Sequence, residues 1–226
     1  MDLKIRDDLL FKDGDQVPFI ETPNRDRWDT INAPKFIVIH YTGGGSALGT
    51  VEWFKLKNAY ASAHLVIGKN GEIWQMVPFS HAAWHAGTSS FPDPDNPAKT
   101  LPDLNEYSIG IEIDNWGGQK QPKAGREMIR KDGLYWEVYT QAQIETVTAI
   151  CKTLVATYGY KAIVGHADIA PSRKVDPGPL WPMAQIRHDV FGSPVAIPEP
   201  APAQLTWQQA IDAWARKMGY DGPKPE

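Results

Sequence analysis

The sequence predicts an α/β fold in which a mixed central β-sheet is flanked by helices on both faces. Three observations point there. Lys35-Phe-Ile-Val-Ile-His-Tyr-Thr42, bounded by Pro34 and Gly43-Gly-Gly45, is the β-branched run of a buried central strand. Tyr107 to Asp114 alternates, with Tyr107, Ile109, Ile111 and Ile113 on one side and Ser108, Gly110, Glu112 and Asp114 on the other, as in a strand with one packed face. Gln141 to Tyr158 repeats Ile144, Val147, Cys151, Leu154, Val155 and Tyr158 at helical spacing.

From the N-terminus, Met1 to Ala33 is acidic and interrupted by Pro18 and Pro23, and reads as an extended arm whose charge serves solvation. After the first strand and its glycine loop, Leu48 to Asn58 carries the apolar spacing of a short helix. Ala63–Gly68 and Ile73–Val77 then form a hairpin, because Asn70-Gly71 tolerates the positive φ of a type I′ turn. His81 to Asn105 has no periodicity and reads as a long loop of the kind that carries function. Gly117 to Asp132 holds Lys120, Lys123, Arg126, Arg130 and Lys131 without an apolar period, so an exposed basic insertion is expected. The long helix is framed by a Thr140/Gln143 capping box, a Tyr139–Ile144 staple and Gly159 as its stop, with Cys151 a small buried hydrophobe on its apolar stripe. Lys161–Gly165 is a further strand that ends at His166. Ser193 to Pro202 reads as a proline-rich linker, and Thr206 to Met218 as a last amphipathic helix stopped by Gly219. The expected division is an arm at 1–33, a catalytic domain at 34–192, and linker plus helix at 193–226.

Composition removes several function classes. The 23 basic against 27 acidic residues give a formal charge of −4, which does not favour a nucleic-acid partner. No apolar run approaches the roughly 20 residues that span a bilayer, and Met1 to Gln16 lacks the apolar stretch of a secretory signal, so a cytoplasmic start is expected. The single cysteine excludes an internal disulfide and any site built on two thiolates of this chain. The oligomeric state is left open, with a monomer favoured.

Chemistry concentrates at two strand ends. His40 closes the first strand and His166 follows Ala-Ile-Val-Gly165, at the carboxyl edge where α/β sheets gather their sites. Asp176 sits ten residues after His166 in a proline- and glycine-restricted turn. Two imidazoles and one carboxylate leave an open fourth position on a tetrahedral metal, the arrangement of catalytic zinc, although the same set fits non-haem iron. A lone histidine at a strand end is more often a hydrogen-bonded structural residue.

Several segments together resemble the zinc N-acetylmuramoyl-L-alanine amidases, a family that shares its fold with phage amidase lysozymes and animal peptidoglycan recognition proteins. They are Ile37-Val-Ile-His-Tyr-Thr42, Ser62-Ala-His-Leu-Val-Ile67, Ala83-Trp-His-Ala-Gly87, Asn105-Glu-Tyr-Ser-Ile-Gly-Ile-Glu112 and His166-Ala-Asp-Ile-Ala-Pro-Ser-Arg-Lys-Val-Asp-Pro-Gly-Pro179. The resemblance covers roughly residues 34 to 190 and implies a zinc ion on His40, His166 and Asp176. It further implies Glu112 as general base and then acid, Lys174 as the cation that stabilises the oxyanion, and peptidoglycan or muropeptides as the partner. Trp84 and His85 are expected along the substrate groove, since aromatic faces pack well on sugars, and a Trp filling a loop core is the competing reading. His64 is grouped with them near the substrate, with a structural role weighed against that. Two departures matter: Asp176 stands where phage and animal members often have cysteine, as in the bacterial subgroup, and Ala63 stands where many relatives have tyrosine. The expected activity is hydrolysis of the amide between N-acetylmuramic acid and L-alanine. A binding-only peptidoglycan module and a zinc amidase for another amide are the alternatives.

Overall fold

Hydrophobic strands with parallel neighbours on both sides can be buried only if both faces are covered, and the centre of this chain is built that way. The computed structural model describes residues 1–31 and 33–192, so the expected linker from Ser193 and the helix from Thr206 to Met218 lie outside the described residues. The central sheet has five strands, numbered here in chain order: β1 (Phe36–Tyr41), β2 (Leu65–Ile67), β3 (Ile73–Gln75), β4 (Ser108–Ile113) and β5 (Ala162–Gly165). Their spatial order is β5-β1-β4-β2-β3, parallel throughout except for the antiparallel β2–β3 pair.

One face packs Ile37, Ile39, Leu65, Ile67, Ile109, Ile111, Ile113 and Ile163 against helix α2 (Gln141–Tyr158) and helix α4 (Met183–Phe191). Each such side chain taken fully out of water contributes about 1.5–3 kcal/mol. The other face is mixed. Phe36, Val38 and Val164 pack on Phe91, Leu101 and Leu104, while Val66 packs with Val51 and Phe54 of helix α1 (Ala47–Phe54). Helices therefore cover both faces of a mixed sheet, as the sequence predicts. Among the described residues no helix is long and apolar enough to cross a membrane.

Helix α2 has the expected frame. The Thr140 hydroxyl accepts the Gln143 N–H at 3.1 Å, the Gln143 side chain accepts the Thr140 N–H at 3.0 Å, and Gly159 closes the helix at φ +76°. Burial pushes the Cys151 thiol up to about 12, so it stays a protonated core residue. Helix α4 carries no expectation from the sequence, and it ends at Gly192 in the left-handed region.

Four segments differ from expectation. The N-terminal stretch is a three-stranded antiparallel meander (Leu3–Arg6, Leu9–Lys12, Asp15–Gln16) with Leu10 fully buried in the α2 core. Its turns, Asp7-Asp8 and Asp13-Gly14, have positive φ at both central positions, which Asp and Gly tolerate. The basic insertion is exposed at Ile129 but also paired: Gly118–Gln119, Met128–Lys131 and Leu134–Glu137 form a sheet turned by Asp132-Gly133, again with both φ positive. By contrast the β2–β3 hairpin does not use a type I′ turn. Only Gly71 has positive φ, and the Glu72 carboxylate accepts the Asn70 N–H at 3.0 Å, holding Asn70 in another conformation. Within the expected long loop, His81–Ala83 pairs with Arg25–Thr30 and Ser90–Asp93 pairs with Asn96–Pro102, because Phe91 and Leu101 are needed as core.

Candidate functional site

Register brings the site together. In-register parallel pairing sets Glu112 level with His40 and Gly165 level with Ile39, so His166, the next residue, arrives beside His40 at the start of the short helix α3 (His166–Ile169). Asp176 reaches the same point because Gly165 has no side chain: a Cβ there would lie 2.6 Å from Pro177 Cδ. The Ala167 N–H donates to the Asp176 carbonyl at 2.8 Å and fixes that approach.

His40 Nδ1 lies 2.8 Å from His166 Nδ1, and Asp176 Oδ2 lies 3.0 Å and 3.1 Å from the two nitrogens. His166 Nε2 is 3.2 Å from the Ala86 carbonyl, which can only accept, so Nε2 carries the proton and Nδ1 is a bare lone pair. Arg173 Nη2 also approaches His166 Nε2, at 3.4 Å, but its two hydrogens are engaged by the Ala86 and Thr88 carbonyls. Burial, with His166 beside it, lowers His40 to about 4. Burial would raise Asp176, but the two imidazoles outweigh it and hold the carboxyl well below its usual range. A carboxylate oxygen and an unprotonated imidazole nitrogen facing one another in a buried setting fit a divalent cation that accepts N and O donors.

Glu112 stands next to this group. Its Oε2 is buried without a hydrogen-bond partner, and burial together with the Asp176 charge pushes the carboxyl up to about 8, against the pull of Lys174. Lys174 is half-buried, follows Arg173 on the segment leading to Asp176, and its charge is felt at both Glu112 and His40.

The three residues expected near the substrate part company. Trp84 is half-exposed, with its indole N–H donating to Asp26 Oδ1 at 2.7 Å. His64 is fully buried: Nε2–H donates to the His81 carbonyl at 2.8 Å, Nδ1 accepts the Gly110 N–H at 3.0 Å, and burial lowers it to about 4. Both of its nitrogens are thus engaged by backbone groups. His85 is also buried, behind His40, with Nδ1 3.1 Å from His40 Nε2. Sequence reasoning passed over Asn105 and Ser108, although both lie in the Asn105–Glu112 segment. Asn105 Oδ1 accepts the N–H groups of His85 and Ala86 at 3.1 and 2.7 Å, pinning the segment behind His40 and His166.

An α/β sheet carrying two histidines, an aspartate and an elevated glutamate at its carboxyl edge has the parts of a metal-assisted hydrolase site. The chain belongs to the N-acetylmuramoyl-L-alanine amidase family (Amidase_2), whose model matches residues 30–179. It is 37% identical over 165 residues to the N-acetylmuramoyl-L-alanine amidase AmiD of Escherichia coli K12, covering 70% of this chain and 54% of that protein. It is 38% identical over 125 residues to the 1,6-anhydro-N-acetylmuramyl-L-alanine amidase AmpD of Salmonella typhimurium SL1344, covering 54% of each. The chain thus spans about half the length of these relatives. The structure of E. coli AmiD in complex with the substrate anhydro-N-acetylmuramic acid-L-Ala-D-γ-Glu-L-Lys superposes with a TM-score of 0.57 at 29% identity, covering 83% of this chain and 65% of that one.

Proposed function

We propose that this chain is a zinc-dependent amidase that hydrolyses the bond between N-acetylmuramic acid and the L-alanine of the stem peptide. The observation that carries the reading is the level pairing of Glu112 with His40, which sets an elevated carboxyl beside the His40–His166–Asp176 donor set. The names of the relatives, amidases of muramyl-L-alanine bonds, support the substrate class. A metal that assists hydrolysis acts as a Lewis acid with no change of oxidation state, which favours zinc over the iron that the same donors could hold.

Bound by His40, His166 and Asp176, zinc would supply an activated water and polarise the scissile carbonyl. Glu112 would serve as the base that accepts a proton from the attacking water. Burial, which raises this carboxyl above its usual range, suits it to keep that proton and pass it to the leaving amine. The Lys174 ammonium offsets the negative charge that develops on the carbonyl oxygen. Trp84 offers its half-exposed ring to the sugar or stem peptide. The unit that carries this activity is the 34–192 segment with the N-terminal meander packed on it through Leu10.

The test is release of stem peptides from murein, and from a muropeptide, by the full chain, with free stem peptide as control. Chelator abolishes release and zinc restores it. Activity indifferent to complete metal removal would sink the mechanism, and cleavage of the free stem peptide alone would move the substrate elsewhere.

A further inference from the structure

His85 was expected on the substrate groove but is 8% exposed and sits behind a metal-site histidine, where its hydrogen bonds can be followed proton by proton. The Ser108 hydroxyl donates its one hydrogen to the Leu104 carbonyl at 2.5 Å, since a carbonyl can only accept. Ser108 Oγ is then an acceptor towards His85 Nε2 at 3.2 Å, so the proton of the neutral His85 ring is on Nε2 and its Nδ1 is bare. A bare Nδ1 facing His40 Nε2 at 3.1 Å must accept from it. The His40 proton is therefore on Nε2, and His40 Nδ1 points its lone pair at His166 and Asp176. Polarity at the first residue of β4 is in this way transmitted through two imidazoles to the ligand atom.

The surroundings hold the relay in place. A Cβ at Gly110 would fall 2.4 Å from His85 Cγ, so the glycine of β4 is what admits the ring. Asn105 Oδ1 holds the His85 backbone N–H, and the His40 and His85 rings meet edge to face at 80°. His166 has a simpler guide in the Ala86 carbonyl. His40 lacks such a backbone partner and depends on a side chain that itself has two tautomers.

We propose that His85 and Ser108 are positioning residues that set the tautomer of His40, with Ser108 choosing the direction of the relay. Without the Ser108 acceptor, His85 is free to carry its proton on Nδ1. His40 Nε2 would then have to accept, and a hydrogen on His40 Nδ1 would block the ligand position. Outer partners of this kind are typically worth 10–100-fold in metal affinity. The inference rests on the metal reading above, but its first readout does not need the metal.

Imidazole nitrogen NMR shifts of the metal-free full chain, recorded where the rings are neutral, should place the proton on Nε2 of both His40 and His85. A proton on His40 Nδ1 overturns the proposal. Zinc affinity is then measured by chelator competition. Ser108→Ala and His85→Phe should bind about 10–100-fold more weakly, while His85→Gln, whose amide oxygen can accept from His40, should recover most of the loss. Wild-type affinity in Ser108→Ala, with the fold intact by circular dichroism, also overturns it. If His85→Phe fails to fold, the tautomer readout and Ser108→Ala still decide. A wild-type chain that binds no zinc would instead sink the proposed function, leaving the tautomer assignment standing.

Discussion

The two faces of β4 carry different burdens. On one, Ile109, Ile111 and Ile113 are fully buried against α2 in a layer with no polar demands. On the other, Ser108 meets His85, Gly110 makes room for His85 and donates to His64, and Glu112 stands level with His40. Both faces are packed, so the expected one-sided strand is in fact two-sided. The difference lies in what packing has to satisfy. The isoleucines need only shape and volume, whereas each polar group must find a donor, an acceptor or a charge, because leaving one unpaired costs about 1–3 kcal/mol. Stability therefore resides mainly on the first face and chemistry on the second.

The largest expected break in this division is Glu112→Gln. Stem-peptide release should fall about 10²–10⁴-fold with general acid–base help removed, while the melting temperature stays the same or rises, because a buried ionisable group with no partner is lost. A variant that also unfolds would show that Glu112 belongs to the structural face.

Ile111→Ala is the reciprocal change. It should cost about 2–5 kcal/mol in urea denaturation by emptying a site in the sheet–helix core, with turnover per folded molecule within a few-fold of wild type. A large fall in turnover at unchanged stability would erase the distinction.

A smaller effect should appear in the pH dependence of stability, measured in chelator. His64 is lowered from 6.5 to about 4, so the unfolded chain binds more protons between those values. Its contribution is full above 6.5 and is lost as pH falls towards 4, about 3 kcal/mol in all. Glu112 works in the opposite sense: raised from 4.5 to about 8, it contributes stability at low pH that is lost as pH rises through that window. Between about 4.5 and 6.5 the two contributions oppose and nearly cancel, so their net effect is a loss of stability from about 6.5 to 8, and Glu112→Gln should remove that alkaline loss and uncover the His64 rise below 6.5. An alkaline loss that survives in Glu112→Gln would place its origin elsewhere.

Much of this was legible in the residues. The Thr140/Gln143 box and Gly159 framed α2 because capping is a matter of a few adjacent residues. Turn chemistry was legible only in part. Asn70-Gly71 and Asp132-Gly133 are the same kind of dipeptide, yet only the second makes the tight turn, because Glu72 captures the Asn70 N–H in the first. The Asp7-Asp8 and Asp13-Gly14 turns carried the same signal, obscured by the charge around them. The burial of His64 and His85 was not legible for a different reason. Their burial depends on Gly110 and Ser108, which are remote in sequence and become neighbours only across paired strands.

The sequence by itself determined which residues share a face of β4, where α2 starts and stops, and that His40 and His166 end strands, since period and capping are local properties of the chain. Only the tertiary structure decided that Glu112 is level with His40 and that His166 follows a residue level with Ile39. Strand register is chosen by the packing of the whole sheet against its helices, and a slip of one residue would have turned Glu112 into the isoleucine layer.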